Sequence, residues 1–149
     1  MEQATLFTLE VQTNLSNVRI GTSGFSYDDW VGPFYPPTLQ SYRRLEYYAQ
    51  HFDTTEINST FYQLPALSSV HGMLRKVPPG FEFFVKGNRD LTHGTRKNAT
   101  ETLPKFMMML DAYKDHGKVA GVLLQFPSTF ECSPDNEDYL RWLIESSRG

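Results

Sequence analysis

What most narrows the fold of this chain is an alternation. From Val18 onward, short runs of β-prone residues take turns with stretches whose apolar side chains recur every three or four positions. A strand that lies parallel to the one before it needs a connection long enough to carry the chain back to the same end of the sheet, and a helix is the usual solution. Val18–Thr22 predicts a first strand, Thr54–Asn58 a second, Phe81–Lys86 a third and Val119–Phe126 a fourth. Between them, Leu39, Tyr42, Leu45, Ala49 and Phe52 form one apolar helix stripe, and Val70, Met73, Leu74 and Val77 form another. Pro78-Pro79-Gly80 ends that second helix, since proline neither continues the hydrogen-bond ladder nor tolerates a helical predecessor. Leu103, Phe106, Met107, Leu110 and Tyr113 mark a third helix, with Gly117 placed for a left-handed C-terminal cap. Ser133, Pro134 and Asp135 read as N-cap, first helical residue and dipole partner of a fourth, whose apolar face is Leu140, Leu143 and Ile144.

Eight such units close a barrel of about 250 residues. The 149 residues here hold only half that number. The expected fold is therefore α/β, a parallel (β/α)8 barrel of TIM type, represented by about its first four βα units. An open doubly wound sheet is the alternative, because a chain of this length can complete one. Residues 1–17 read as a polar leader, with Leu6–Val11 a candidate for a short extra strand, and 18–149 as the half barrel.

Composition excludes several classes. With 40% hydrophobic residues the chain has material for a core, and a formal charge of −3 provides no global basic field for nonspecific nucleic-acid binding. A single cysteine, Cys132, rules out an internal disulfide framework and reads as an ordinary thiol in a reducing cytoplasm. The leader lacks the basic start and long apolar run of a secretory signal or membrane anchor, so a cytoplasmic protein with no membrane partner is expected. Gly21-Thr22-Ser23-Gly24-Phe25 looks superficially like a phosphate loop, but it lacks the third glycine and does not open straight into a helix. No cofactor is expected. No histidine pair has ligand spacing in sequence and no second cysteine supports one, so no metal is expected either.

Longer phrases carry more. Ile20-Gly-Thr-Ser-Gly-Phe-Ser-Tyr27, Trp30-Val-Gly-Pro-Phe-Tyr-Pro-Pro37 and Thr55-Glu-Ile-Asn-Ser-Thr-Phe-Tyr62 closely resemble the YecE-like family, known as domain of unknown function 72. Pro78-Pro-Gly-Phe-Glu-Phe-Phe-Val-Lys86, Leu91-Thr-His93 and Val122-Leu-Leu-Gln-Phe-Pro127 agree with it in order and spacing, so the resemblance covers residues 18 to 149. It implies a single-domain barrel of about 250 residues whose strands five to eight are not in this sequence. Phe25 stands where the family more usually has tryptophan.

In a barrel the loops after the strand carboxyl ends form the functional face. Glu56 and Asn58 share a parity in the second strand, so both can point inward at that rim. A buried Glu56 is suited to proton transfer; the alternative is a structural Glu–Asn network. Lys86 closes an otherwise aromatic strand and needs either Glu56 as ion-pair partner or an anionic ligand. Lys86, Arg89, His93, Arg96 and Lys97 crowd cationic groups against a single acid, Asp90, which favours an anion unless the loop is merely solvated. Glu56, Lys86 and His93 are thus the catalytic candidates, and Ser23, Tyr27, Asn58, Tyr62, Arg89 and Gln125 the ligand-binding ones. Trp30, Phe34 and Tyr35 read as a seal over the core.

Three functions remain open. One is an enzyme or binder of a small anionic, phosphorylated or carboxylated ligand. Another is a nucleic-acid module, suggested by the basic loop and its aromatic neighbours. The third is an inactive fragment that self-associates through exposed strand edges.

Overall fold

The computed structural model describes residues 18–148. The predicted leader, with its candidate strand at Leu6–Val11, lies outside the described residues.

Four strands form one sheet: β1 (Gly21–Ser23), β2 (Thr54–Ile57), β3 (Glu82–Lys86) and β4 (Val119–Leu123). All neighbouring pairs are parallel, and the order across the sheet is β1-β2-β3-β4. No reversal of order occurs among them, whereas a doubly wound sheet places its crevice at one. The helices are α1 (Arg44–Tyr48), α2 (Leu67–Leu74), α3 (Arg89–Thr92), α4 (Arg96–Asp115) and α5 (Pro134–Ser146), and they alternate with the strands.

The chemistry of individual residues sets these boundaries. Ser133 caps α5 by accepting from the Asn136 amide at 3.3 Å, with Pro134 opening the helix as the sequence predicts. Gly117 takes φ +63° just past α4, the left-handed value expected there. Thr95 supplies the cap at the other end of α4.

Some elements differ from expectation. β1 begins at Gly21 rather than Val18, and the exposed Val18 and Ile20 lie before it. Gly21 is the entry point because the backbones close there: a Cβ would stand 2.0 Å from the Thr54 carbonyl oxygen. The first apolar stripe is carried by a 3-10 turn at Ser41–Arg43 followed by the short α1, rather than by one continuous helix. The second helix stops at Leu74, three residues short of Val77, although Val77 remains buried. β4 ends at Leu123, not Phe126. Pro104 lies inside α4, where packing of Leu103, Phe106, Met109, Leu110 and Tyr113 outweighs one lost backbone bond.

β3 alternates strictly between sheet faces. Phe83 and Val85 are fully buried, with Thr55 and Ile57 of β2 beside them, under Tyr48, Val70, Leu74, Phe106 and Tyr113 from the helices. The opposite face carries Glu56, Phe84 and Lys86, and Phe84 there is 42% exposed. The sheet is therefore covered on one side, and its edge strands β1 and β4 each pair with a single neighbour.

Candidate functional site

At the carboxyl end of β1, Ser23 stands in register with Glu56 of β2. The Ser23 hydroxyl donates to Glu56 Oε1 at 3.2 Å, while Asn58 Nδ2 donates to Ser23 Oγ at 2.6 Å. One hydroxyl therefore ties together the two polar residues expected to converge at this rim. Asn58 gets there differently from the prediction. β2 ends at Ile57, and Asn58 has helical φ and ψ at the start of a 3-10 turn, Ser59–Phe61. Its Oδ1 is buried and makes no hydrogen bond. The Gly24 amide extends the ladder one step by donating to the Glu56 carbonyl at 3.0 Å. Gly24 has φ +88°, and the Tyr27 hydroxyl fills the space where a Cβ would stand, donating to the Ser23 carbonyl. The Tyr27 ring packs on Trp30 at 5.0 Å.

A second cluster forms at the end of β3. Thr60, fully buried in the 3-10 turn, places Oγ1 2.8 Å from the Ile57 carbonyl and 2.6 Å from the Lys86 carbonyl, so its one proton bridges the ends of β2 and β3. Asn88 completes the staple, donating from Nδ2 to the Thr60 carbonyl at 2.9 Å and accepting from the Asp90 amide to cap α3. The turn so fixed projects Phe61 between two of the predicted site residues. Lys86 Nζ lies 5.2 Å from the Phe61 ring centroid, and the His93 ring meets the same ring edge-on at 5.3 Å. His93 also hydrogen-bonds through Nδ1 to Thr92 Oγ1 at 2.8 Å.

The expected Glu56–Lys86 ion pair is not formed among the described residues. Glu56 is level with Phe84 and accepts from Ser23, while Lys86 stands one pleat further on, about 7 Å along the strand. Its ammonium is held over Phe61 instead, an attraction worth about 0.5–1 kcal/mol at an exposed site. The basic loop is also less uniform than its composition implies. Arg96 pairs with Asp138 at 3.0 Å and lies over the Trp142 ring at 5.0 Å, whereas Arg89 is exposed on α3. Tyr62 is 76% exposed. Gln125 is exposed but lies beyond the end of β4, because the strand stops three residues earlier than predicted.

Two separate depressions take in some of these groups, Ser23 and Glu56 in one and His93 in the other, and Lys86 lines neither. One, of about 260 Å³, lies on the open sheet face and is lined by Arg19, Ser23, Glu56 and Phe84 among others. Another, of about 310 Å³, is lined by His93, Arg96, Asn136 and Tyr139. A larger cleft of about 490 Å³ runs between α4 and α5, but none of the predicted site residues lines it. Tyr139 donates to the Leu91 carbonyl at 2.7 Å, and burial raises its pKa above the usual tyrosine value despite the opposing charge of Arg96.

Sequence reasoning missed the residues that hold this rim. Thr60, Asn88 and Phe61 are ordinary by composition, and their role follows from contacts between segments some 26 to 28 residues apart. Arg44 is another. Its side chain is 9% exposed, binds Asp28 at 2.8 Å, approaches Ser26 Oγ at 3.4 Å and lies over the Tyr35 ring at 5.6 Å. Trp30, Phe34 and Tyr35 pack together onto the core beside it, as a seal.

Residues 19–148 match the family model "Protein of unknown function DUF72". The UPF0759 protein YunF of Bacillus subtilis (strain 168) is 31% identical over 130 residues, covering 84% of this chain and 45% of that protein. The crystal structure of a DUF72 family protein (TM1631) from Thermotoga maritima MSB8 superposes with a TM-score of 0.74 at 35% identity, over 87% of this chain and 51% of the other. A DUF72 family protein (EF0366) from Enterococcus faecalis V583 shares the fold with a TM-score of 0.68 at 23% identity, over 85% and 46% of the two chains. The chain thus spans about half the length of the relatives it matches. Together with the phrases at Ile20–Tyr27, Trp30–Pro37 and Thr55–Tyr62, these matches show that the chain belongs to the DUF72 family, the YecE-like proteins that its sequence resembles.

Proposed function

We propose that this chain forms the first half of a (β/α)8 barrel and that the carboxyl-end rim of that barrel binds a small anionic ligand, phosphorylated or carboxylated. Support for the barrel comes from strands laid side by side in chain order, helices on one face only, and two bare edges where further strands or a second copy would pair. One observation carries the ligand reading: Lys86 and His93 meet on the Phe61 ring at a strand carboxyl end, with neither imidazole nor ammonium in an ion pair among the described residues. On this reading Lys86 and His93 donate to the anion, Arg89 adds charge from α3, and Glu56, oriented by Ser23 and Asn58, is the proton acceptor facing the same mouth.

Calorimetric titration of the chain at low salt with inorganic phosphate, a sugar phosphate and a dicarboxylate tests it. Saturable binding is expected with at least one. A hydrogen bond to a charged group contributes about 1.5–3 kcal/mol, so Lys86→Ala should weaken binding by about 10- to 100-fold. Absence of saturable binding to all three, or equal affinity in Lys86→Ala and His93→Ala, would sink the proposal. The exposed Tyr62 ring favours a second reading, stacking on a nucleic-acid base, which predicts oligonucleotide binding that collapses with added salt.

A further inference from the structure

Among the described residues no group of three or more His, Cys, Asp or Glu side chains is placed to hold a metal ion. Two histidines nevertheless meet far from the rim. His71 lies within α2 and His116 just past the end of α4, and packing of these two helices brings their rings to a centroid separation of 5.4 Å, tilted by 53°. They are 45 positions apart in sequence, which is why no short motif reveals them. His116 comes shortly before β4 begins, so the pair sits at the amino ends of the strands, on the opposite side of the molecule from Lys86 and His93.

We propose that His71 and His116 form a two-histidine site for a borderline transition-metal cation such as Zn²⁺, Ni²⁺ or Cu²⁺. The separation suits it. With metal–nitrogen bonds of about 2.0–2.1 Å and a tetrahedral angle, two ligating imidazoles have ring centroids about 5 Å apart. The tautomer suits it too. His116 Nδ1 lies 2.8 Å from the Ala112 carbonyl oxygen, which can only accept, so Nδ1 carries the proton and Nε2 keeps its lone pair. Ligating histidines are commonly fixed in this way, by a backbone carbonyl on the nitrogen that does not bind. Imidazole donors select zinc, nickel and copper over magnesium or calcium, which take oxygen ligands. The two ligands come from different helices, so a bound cation would cross-link α2 to α4 and stabilise the folded state in proportion to its saturation.

Titrating the intact, reduced chain with Ni²⁺ and Zn²⁺ by calorimetry, and following its melting temperature in parallel, tests the site. One cation per chain and a rise in melting temperature are expected, with no response to Mg²⁺. His71→Ala and His116→Ala should each weaken binding by at least about tenfold, since loss of second-layer support alone typically costs about 10- to 100-fold. His51→Ala should bind like the parent, because His51 packs on Phe34 and Tyr47 instead. His71→Gln and His116→Gln, as milder changes, should reproduce the loss with an unchanged circular-dichroism spectrum. Absence of binding would overturn the proposal. So would binding that survives both substitutions, or that is lost with His51 or with the exposed Cys132.

Discussion

Removing the Tyr113 hydroxyl should stabilise this protein. Tyr113 is fully buried, and its ring packs edge-on against Phe83 at 5.4 Å, yet its hydroxyl makes no hydrogen bond. Burial raises its pKa well above the ordinary tyrosine value, the same desolvation expressed as a titration. An unpaired buried polar group costs about 1–3 kcal/mol relative to its hydrated state. Tyr113→Phe keeps the ring and its contacts and deletes that cost. The space left by one oxygen, about 10 Å³, returns only about 0.2 kcal/mol at about 24 cal/mol per Å³. The net gain is about 1 kcal/mol, or about 3 °C in melting temperature for a chain of this size. Tyr139 is the internal control, because its hydroxyl donates to the Leu91 carbonyl; Tyr139→Phe should therefore lose about 1 kcal/mol. Urea denaturation followed by circular dichroism at neutral pH measures both. If Tyr113→Phe loses as much stability as Tyr139→Phe, the Tyr113 hydroxyl is paired in solution and the reasoning fails.

Three further outcomes follow from the same physics. Arg44→Ala should cost about 2–4 kcal/mol, because it empties a buried, hydrogen-bonded position, whereas Asp28→Asn should cost under about 1 kcal/mol because its carboxylate is 96% exposed; the reverse ranking in denaturant melts would show that charge rather than packing holds the loop. Gly21→Ala should weaken the β1–β2 pairing, since its Cβ would stand 2.0 Å from the Thr54 carbonyl oxygen, and hydrogen exchange should show faster opening at Gly24, whose amide donates to Glu56. Stability should also fall at alkaline pH. Burial, partly opposed by Arg44, raises the Tyr35 pKa from 10.0 to about 12, so between those values the unfolded chain releases a proton that the folded one keeps. The contribution is complete below pH 10 and lost towards pH 12, and Tyr35→Phe should flatten that part of the curve.

The sequence exposes the repeating layer well and the joints poorly. The strand and helix cores were legible because apolar period survives in each: Phe83 and Val85 alternate with Phe84, and Leu103, Phe106, Leu110 and Tyr113 share a stripe. Boundaries were less so. β1 shifts to Gly21 because backbone contact with Thr54 decides where pairing starts, and no local propensity encodes that contact. β4 stops at Leu123 because its partner β3 ends at Lys86, with which Leu123 is in register. At the rim, strand parity pointed to Glu56 and Asn58, although Asn58 lies on a turn rather than in the strand, and the Ser23 hydroxyl that joins them is a contact between two strands that parity does not contain. Lys86 and His93 were named, but their shared partner Phe61 was not, because it depends on the Thr60–Asn88 staple between distant segments. The Glu56–Lys86 pair is absent among the described residues because Glu56 accepts from Ser23 and the Lys86 ammonium lies over Phe61, contacts that a list of charges does not contain.

The unbroken strand order has a consequence for how this polypeptide is made. Each strand docks beside the one synthesised just before it, so an emerging chain never has to hold a gap for a segment still inside the ribosome. Growth can proceed as a zipper of neighbouring units, each offering its free border as the template for the next, and the loop-closure cost stays that of one crossover at a time.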